Sequence, residues 1–457
     1  MNEISIIRIL VGIVLLNLSA NDAAPAGGEI RARHRSELAS TVDDHIDAAL
    51  SDWLTFYRDL HTHPELSLQE KESSRKIAER LTQTGYTVTS NVGGYGVVGV
   101  LDNGDGPTLL IRGDMDALPI VEDTGLPYAS KVAVERDNGA HVGVMHACGH
   151  DVHQTCLVGA ATVLAKLRDQ WKGKLLIVAQ PAEEIGVGAK AMIDDGLFTR
   201  FGKPDFCLAL HVSPQYPAGV VAYTPGWALA NVDSVDITIH GRGGHGSRPH
   251  ETIDPIVAAA HVVTALQTIV SRRLDPQEPG VVTVGSIHGG SKHNIIPDSV
   301  NLQITVRSYT AESRRLLLDS IKQITIDTAR GLGCTREPEI AIRDNEFTPA
   351  TFNDPAFTEA AAKVLREALG ADRVIEQKPV MGGEDFGRFA TSAGVPGLIF
   401  WLGSVPGDRY EASQKSGPGA PGLPAIHSSK YYPDPEPTIR TGVKSLTSIA
   451  LSVLEPR

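Results

Sequence analysis

The eight residues His146-Ala147-Cys148-Gly149-His150-Asp151-Val152-His153 gather thiol, imidazole and carboxylate side chains into one short stretch. Borderline divalent ions such as zinc prefer that mixture of ligands. Gly149 lets the backbone turn tightly, so that Cys148 and His150 can reach one ion. A single cysteine or histidine is usually structural; the cluster reads as metal binding. A second signal, Glu183-Glu184, follows Pro181 on the far side of a helix-length segment. A spare carboxylate beside a metal ligand is what metal-assisted hydrolysis needs as its general base. Adjacent residues of an extended chain point to opposite sides. One glutamate could thus face the ion and the other a substrate water. The plainer alternative is a solvated acidic pair at a helix start.

Weaker candidates surround these. His211 closes the apolar run Phe206 to Leu210, and His427 sits in Ala425-Ile426-His427-Ser428-Ser429, where spacing alone cannot bring it to the cluster. Asp114 and Asp116 flank Met115 after another apolar run; one could hydrogen-bond a ligand histidine and raise its basicity. A structural turn is the alternative. His245 lies among glycines in Gly243-Gly244-His245-Gly246, in what reads as an exposed loop. A thiol hydrolase with Cys148 as nucleophile and His150 as base is a further reading, but it leaves Glu183, Glu184 and His427 idle. So is a metal- or amino-acid-binding protein without catalysis, for which a spare base is superfluous.

The elements that must position these residues follow from periodicity. Val42, Ile46, Ala49, Trp53 and Tyr57 recur at helical spacing over 41–60, with Ile77 and Leu81 in a second helix. Val97 to Leu101, Leu109 to Arg112, Leu175 to Ala179, Phe206 to His211 and Leu398 to Leu402 are short apolar runs, as expected of strands buried on both faces. Helical segments, Thr155 to Gln170 and Ala189 to Gly196, lie between them. The pattern predicts an α/β fold with a mostly parallel sheet. Asp114, Asp116, Glu183, Glu184 and His211 all fall just past strand ends, where open α/β sheets bind ligands. Between about 228 and 345 the strands alternate instead: Val235, Ile237, Ile239, then Leu302, Ile304, Val306. With helices near 254–273 and 311–330 the order is β-α-β-β-α-β, an inserted ferredoxin-like α+β unit. The expected division is 27–227 and 346–457 for the catalytic domain and 228–345 for the insert. Ser413 to Pro424, rich in Gly and Pro, reads as a surface loop.

A chain of 457 residues exceeds one ordinary core. The net charge of -12 argues against a nucleic-acid partner, which calls for a basic patch. No run reaches the roughly 18–20 apolar residues needed to span a bilayer. Arg8, the apolar Ile9 to Leu18 and Ala24-Pro25-Ala26 read as a secretory signal over 1–26, which implies export to the periplasm or beyond; a retained buried helix is the alternative. Four cysteines are no disulfide framework in a chain this size. Cys207 reads as a small buried hydrophobe; Cys156 and Cys334 carry no definite signal.

Taken together, several segments resemble the co-catalytic metallopeptidase family of aminoacylases and glutamate carboxypeptidases, closest to its amidohydrolase branch of hippurate and auxin–amino acid conjugate hydrolases. They are His61-Thr62-His63-Pro64-Glu65, Arg112 to Pro119, Met145 to His153, Gln180 to Glu184, Gly244-His245, Asn294 to Pro297, Gly382-Gly383-Glu384-Asp385-Phe386 and His427-Ser428. The resemblance implies an α/β catalytic domain with an inserted lid or dimerisation domain. It implies two divalent ions per subunit (zinc, manganese or cobalt) held by Cys148, His150, Glu184, His211 and His427. Asp116 would orient a ligand, and Asp114 stands where other branches carry a metal-binding histidine. Glu183 would be the general base in hydrolysis of an N-acyl amino acid by a metal-activated water. A dipeptidase or carboxypeptidase with the same site is the nearest rival. His245 would reach a neighbouring subunit's site and polarise the scissile carbonyl, and Asn294 and Arg307 would bind the substrate carboxylate. That makes a homodimer through the lid the expected assembly.

Overall fold

The computed structural model describes residues 26–135, 139, 141–415 and 422–456. The segment read as a secretory signal lies, but for its last residue, outside them. The chain divides into two compact units, Met1–Thr41 and Val42–Arg457, and the site lies wholly in the second.

Helix α1 (Ala26–Thr62) buries Val42, Ile46, Trp53 and Tyr57 of the stripe that the spacing over 41–60 predicts; Ala49 is half-buried, and Leu50 and Leu60 are buried as well. Helix α2 (Lys71–Gln83) buries Ile77 and Leu81. Strands β1 (Thr87–Val92), β2 (Gly96–Asp102) and β3 (Thr108–Asp114) follow. Helix α3 (His150–Lys166) is buried along nearly its whole length. Next come β4 (Lys174–Gln180), α4 (Gly188–Asp194), β5 (Phe206–Pro217) and β6 (Val221–Tyr223).

The alternating segment then builds its own sheet from β7 (Asn231–His240), α5 (Pro255–Leu266), α6 (Thr268–Arg272), β8 (Gly280–His288), β9 (Ser299–Ser308), α7 (Ala311–Gly331) and β10 (Glu339–Ile342). The strand order is β8-β9-β7-β10, antiparallel throughout. The burial of β7 alternates residue by residue: one face packs on the helices and the other does not. Asp254 caps α5 by accepting from the Ile256 and Val257 amides, and Thr310 caps α7 by accepting from Ser313 N–H. These side chains satisfy orphan donors of the first turn and fix where each helix begins. Ile237, Val262, Leu302, Leu317 and Ile321 share a core separate from that of the large sheet. Pro255–Arg272 is apolar enough, by length and composition, to cross a membrane. It is two helices rather than one, and Ala258, Val262, Leu266 and Ile269 in it are buried in this core.

The chain returns through α8 (Pro355–Leu369), β11 (Val374–Glu376), α9 (Gly387–Ala393), β12 (Gly397–Val405) and α10 (Pro435–Val453). The large sheet runs β1-β2-β4-β3-β5-β12-β6-β11. Its centre, β4-β3-β5-β12, is parallel. Antiparallel pairs lie toward the edges, at β1-β2, β2-β4 and β12-β6. The two crossings between the sheets, Gly226–Leu229 and Thr351–Asn353, pair with each other as a short antiparallel ribbon.

Three local readings change. The helix expected from Thr155 begins at His150, so the cysteine–histidine turn is its cap rather than a loop ahead of it. The strand expected to end at His211 runs on to Pro217. Within the expected loop from Ser413, Ser413 closes a short helix from Gly407, and 416–421 lie outside the described residues.

Candidate active site

Asp114 and Gln180 are paired at the carboxyl ends of β3 and β4, and His211 and Trp401 are paired on β5 and β12. Above them Gly149, in the left-handed region at φ 77°, caps α3. A side chain at Gly149 would drive a Cβ to 2.6 Å from Val212 Cγ2. Glycine is therefore required there twice, for its φ and for its close approach.

The turn delivers Cys148 and His150 to one point. Cys148 Sγ lies 3.5 Å from His211 Nε2 and 3.3 Å from His427 Nε2. His427 Nε2 is 3.4 Å from Glu184 Oε2. His150 Nε2 lies 3.8 Å from both Glu183 Oε2 and Glu184 Oε1. His150 Nδ1–H donates to the Asp116 carbonyl at 2.7 Å, and His211 Nδ1–H donates to the Val212 carbonyl at 2.7 Å. Each ring thus turns its Nε2 lone pair toward the shared space.

Glu183 and Glu184 do not alternate as an extended chain would. They lie in a turn that follows Ala182 at φ 50°, and both carboxylates reach His150. Asp116 holds this turn: its carboxylate accepts from the Glu183 and Glu184 amides at 3.1 and 3.0 Å and from Ser67 Oγ–H at 2.6 Å. Glu70 Oε1 accepts from the Ala182 amide at 2.8 Å. Asp116 therefore orients a histidine through its main chain and a glutamate pair through its side chain. His427 also has a left-handed backbone, at φ 65°, and its N–H donates to Ala147 O at 2.8 Å. Such a conformation in a non-glycine residue costs of order 1–3 kcal/mol and clusters at functional sites.

The electrostatics ask for a cation. Burial, reinforced by Glu384, Glu184, Asp385 and Asp114, pushes the Glu183 carboxyl well up. Burial raises Glu184 to about 7 against the opposing pull of His150. Burial and the carboxylates of Glu184, Glu183 and Asp114 hold the Cys148 thiol well above the usual range. The buried His150 Nε2 and Glu184 Oε1 have no hydrogen-bond partner among the described residues, although buried polar atoms are nearly always paired. Ligand atoms of Cys148, His150 and His211 lie within 4.8 Å of one another, as do those of Cys148, Glu184 and His427. A divalent ion matches this donor set and would reverse the pKa shifts.

Cys148, Glu183, Glu184, His211 and His427 line a cavity of about 900 Å³ that also takes in Arg307, Thr305, Val232, Val380, Met381 and Trp401. Arg307 therefore shares the cavity with the cluster. His245 is exposed, its Nδ1 accepting from Ser247 at 2.8 Å. Neither His245 nor Asn294 is among the residues lining the cavity.

Beneath the cluster sits a group that the motif reading left without a role. Arg112, fully buried in β3, donates to Asp114 at 2.7 Å, Glu384 at 2.7 Å, Gln180 at 2.8 Å and Asp385 at 3.3 Å. A charged residue in an otherwise apolar strand was the available signal, since a buried charge requires partners.

A parallel-centred α/β sheet with thiolate, imidazole and carboxylate donors at its carboxyl edge is the architecture of a metal-dependent hydrolase. The chain belongs to the peptidase family M20/M25/M40, whose model matches residues 110–416. It is 37% identical over 407 residues to thermostable carboxypeptidase 2 of Saccharolobus solfataricus, covering 88% of this chain and 95% of the relative. It is 40% identical over 332 residues to the hippurate hydrolase of Campylobacter jejuni, covering 72% and 82%. The fold matches a crystal structure of a putative aminohydrolase from methicillin-resistant Staphylococcus aureus at TM-score 0.77 and 34% identity, over 91% of this chain and 100% of that one. It matches the Bacillus subtilis YXEP protein, described as a dinuclear metal-binding peptidase, at TM-score 0.70 and 29% identity, over 89% and 99%. The protein is a metal-dependent amidohydrolase of this family, acting on amide or peptide bonds of small substrates with divalent metal as cofactor.

Proposed function

We propose that the protein hydrolyses N-acyl amino acids, with Cys148, His150, Glu184, His211 and His427 holding two zinc, manganese or cobalt ions and Glu183 as general base. Five of these six side chains line a cavity that also contains Arg307, and the sixth, buried His150, lies 3.8 Å from both glutamates; that convergence carries the reading. Two donor groups overlap at Cys148, one with His150 and His211 and one with Glu184 and His427, so these five residues would hold the ions. When bound, the ions acidify water and polarise the scissile carbonyl. Glu183 takes the proton of the attacking water and returns it to the leaving nitrogen. Arg307 suits a free carboxylate because its planar fork binds both oxygens. Thr305 Oγ1 accepts from its Nε at 3.1 Å and steadies it.

His245 and Asn294, displaced from the cavity within one chain, fit a second subunit's site. The insert offers a surface for such a dimer: β8 is an edge strand, and Ile256, Val257 and Val270 on α5 and α6 are exposed. The export signal over 1–26 is tested by the amino terminus of secreted protein, which should begin near Gly27.

Carboxypeptidase action is the second reading, favoured by the relative of that name. A substrate panel separates the two: hippurate and N-acetyl amino acids against dipeptides, before and after chelation. Turnover of the acyl-amino acids that chelation abolishes and metal restores is the expected result. Chelation-insensitive hydrolysis sinks the metal reading, and a preference for dipeptides selects the rival.

A further inference from the structure

His153 belongs to the opening motif, and its ring, with Asp114 and His150, falls within the span of a metal-binding group. Its hydrogen bonds give it another role. The Val212 N–H approaches His153 Nε2 at 2.9 Å. A main-chain amide can only donate, so Nε2 must carry the lone pair and the proton sits on Nδ1. That Nδ1–H donates to Asp114 Oδ1 at 2.6 Å. Asp114 Oδ2 accepts from Arg112 at 2.7 Å, and Arg112 is anchored in turn on Glu384 and Gln180. Both ring nitrogens of His153 are occupied, and no lone pair remains for an ion.

The other end of this chain of bonds is the peptide that carries His211. Val212 offers its N–H to His153 and its carbonyl to His211 Nδ1–H. The His153 ring also stands edge-on to His211, centroids 4.7 Å apart, while Trp401 contacts His211 at 5.6 Å. The Val212 side chain packs so close to Gly149 that a Cβ there would come within 2.6 Å of its Cγ2.

We propose that Arg112, Asp114 and His153 form a buried strut that fixes the Val212 peptide and thereby aims His211 at the metal site, with His153 a positioning residue and not a ligand. This rests on the reading of His211 as a ligand. Outer partners of metal ligands typically contribute about 10–100-fold in metal affinity.

The test is a cobalt(II) titration of the full chain, followed by the thiolate-to-cobalt absorption from Cys148, on the wild type, His211→Ala, His153→Leu and His153→Gln. Glutamine presents an amide donor and a carbonyl acceptor about as far apart as the two ring nitrogens; leucine fills the space with neither. We expect His153→Leu to bind cobalt about 10–100-fold more weakly and His153→Gln to stay near the wild type. Equal affinities in the wild type and His153→Leu overturn the strut. Glutamine as weak as leucine overturns it too, because loss of a metal ligand would behave so. No absorption in the wild type, or none lost in His211→Ala, overturns the ligand reading itself and the strut with it. Should His153→Leu not fold, Asp114→Asn sets an amide against Arg112 at unchanged volume; unaltered cobalt affinity there counts against the proposal.

Discussion

Cys148 Sγ lies 3.3 Å from His427 Nε2 although 279 residues separate them. The sheet carries Cys148 into place from its first half, and the strained turn at His427 returns from the last. Replacing Cys148 by alanine should abolish the overlap of the two donor groups. The expected result is loss of at least one equivalent of metal by mass spectrometry, with the fold intact by circular dichroism. Full metal content in Cys148→Ala excludes the thiolate as a ligand.

Metal affinity should rise with pH, and the sign follows from the metal-free site. Burial opposes charge on His150, but Asp114, Asp116 and Glu184 overcome it and lift the imidazole to about 10. The Cys148 thiol is held up as well. Both must lose protons when an ion binds. Apparent affinity should therefore climb by about tenfold per pH unit for each proton released. Calorimetry in buffers of different ionisation enthalpy counts those protons, and a count of zero at pH 7 contradicts the ligand assignment.

Glu183→Gln should retain metal and lose roughly 10²–10⁴-fold in kcat, the usual worth of a positioned general base. Glutamine keeps the shape and cannot take a proton. Activity within a few fold of wild type would falsify the base assignment.

Much of this site was legible in the sequence because its donors are chemically distinctive and follow strand ends. Cys148 and His150 could be read from type and spacing, and Glu183-Glu184 as a pair whose division of roles came only from the family resemblance. The role of Arg112 could not, because its partners Glu384 and Asp385 lie 272 and 273 residues away and no local pattern encodes a buried ion cluster. Nor could that of His153 on α3, since its protonation is decided by the Val212 main-chain amide on β5. The turn at Glu183-Glu184 was misread for a related reason: Asp116 and Glu70 impose it from outside the segment, overriding the local expectation of extended chain.

A second buried group makes stability depend on pH. Burial disfavours charge on His61, yet Asp151 at 2.6 Å and Glu122 at 3.2 Å hold its imidazole up at about 9. A folded-state value raised above the ordinary 6.5 contributes stability that is complete below 6.5 and lost as pH rises through 9. The contribution is on the order of 3 kcal/mol. Urea unfolding should show the wild type losing stability between pH 6.5 and 9.5 while His61→Gln, weaker throughout, loses less. A parallel decline in both proteins rules out this linkage.

The placement of His245 yields the last prediction. Glu183 lines the cavity while His245 lies exposed on the insert, away from it in its own chain. If His245 serves the neighbouring subunit, Glu183→Gln and His245→Ala are each inactive as homodimers. A mixed dimer holds one site with both defects and one with neither. Unfolding-free exchange of equal amounts should then recover about a quarter of wild-type activity, since half the dimers are mixed and each has one intact site. Substitution in cis gives a different result: every site keeps its own chain's defect, and mixing restores nothing. Sedimentation of the mixture, run alongside, establishes that the dimers have formed, so an absence of recovery in dimeric protein removes His245 from the partner's site.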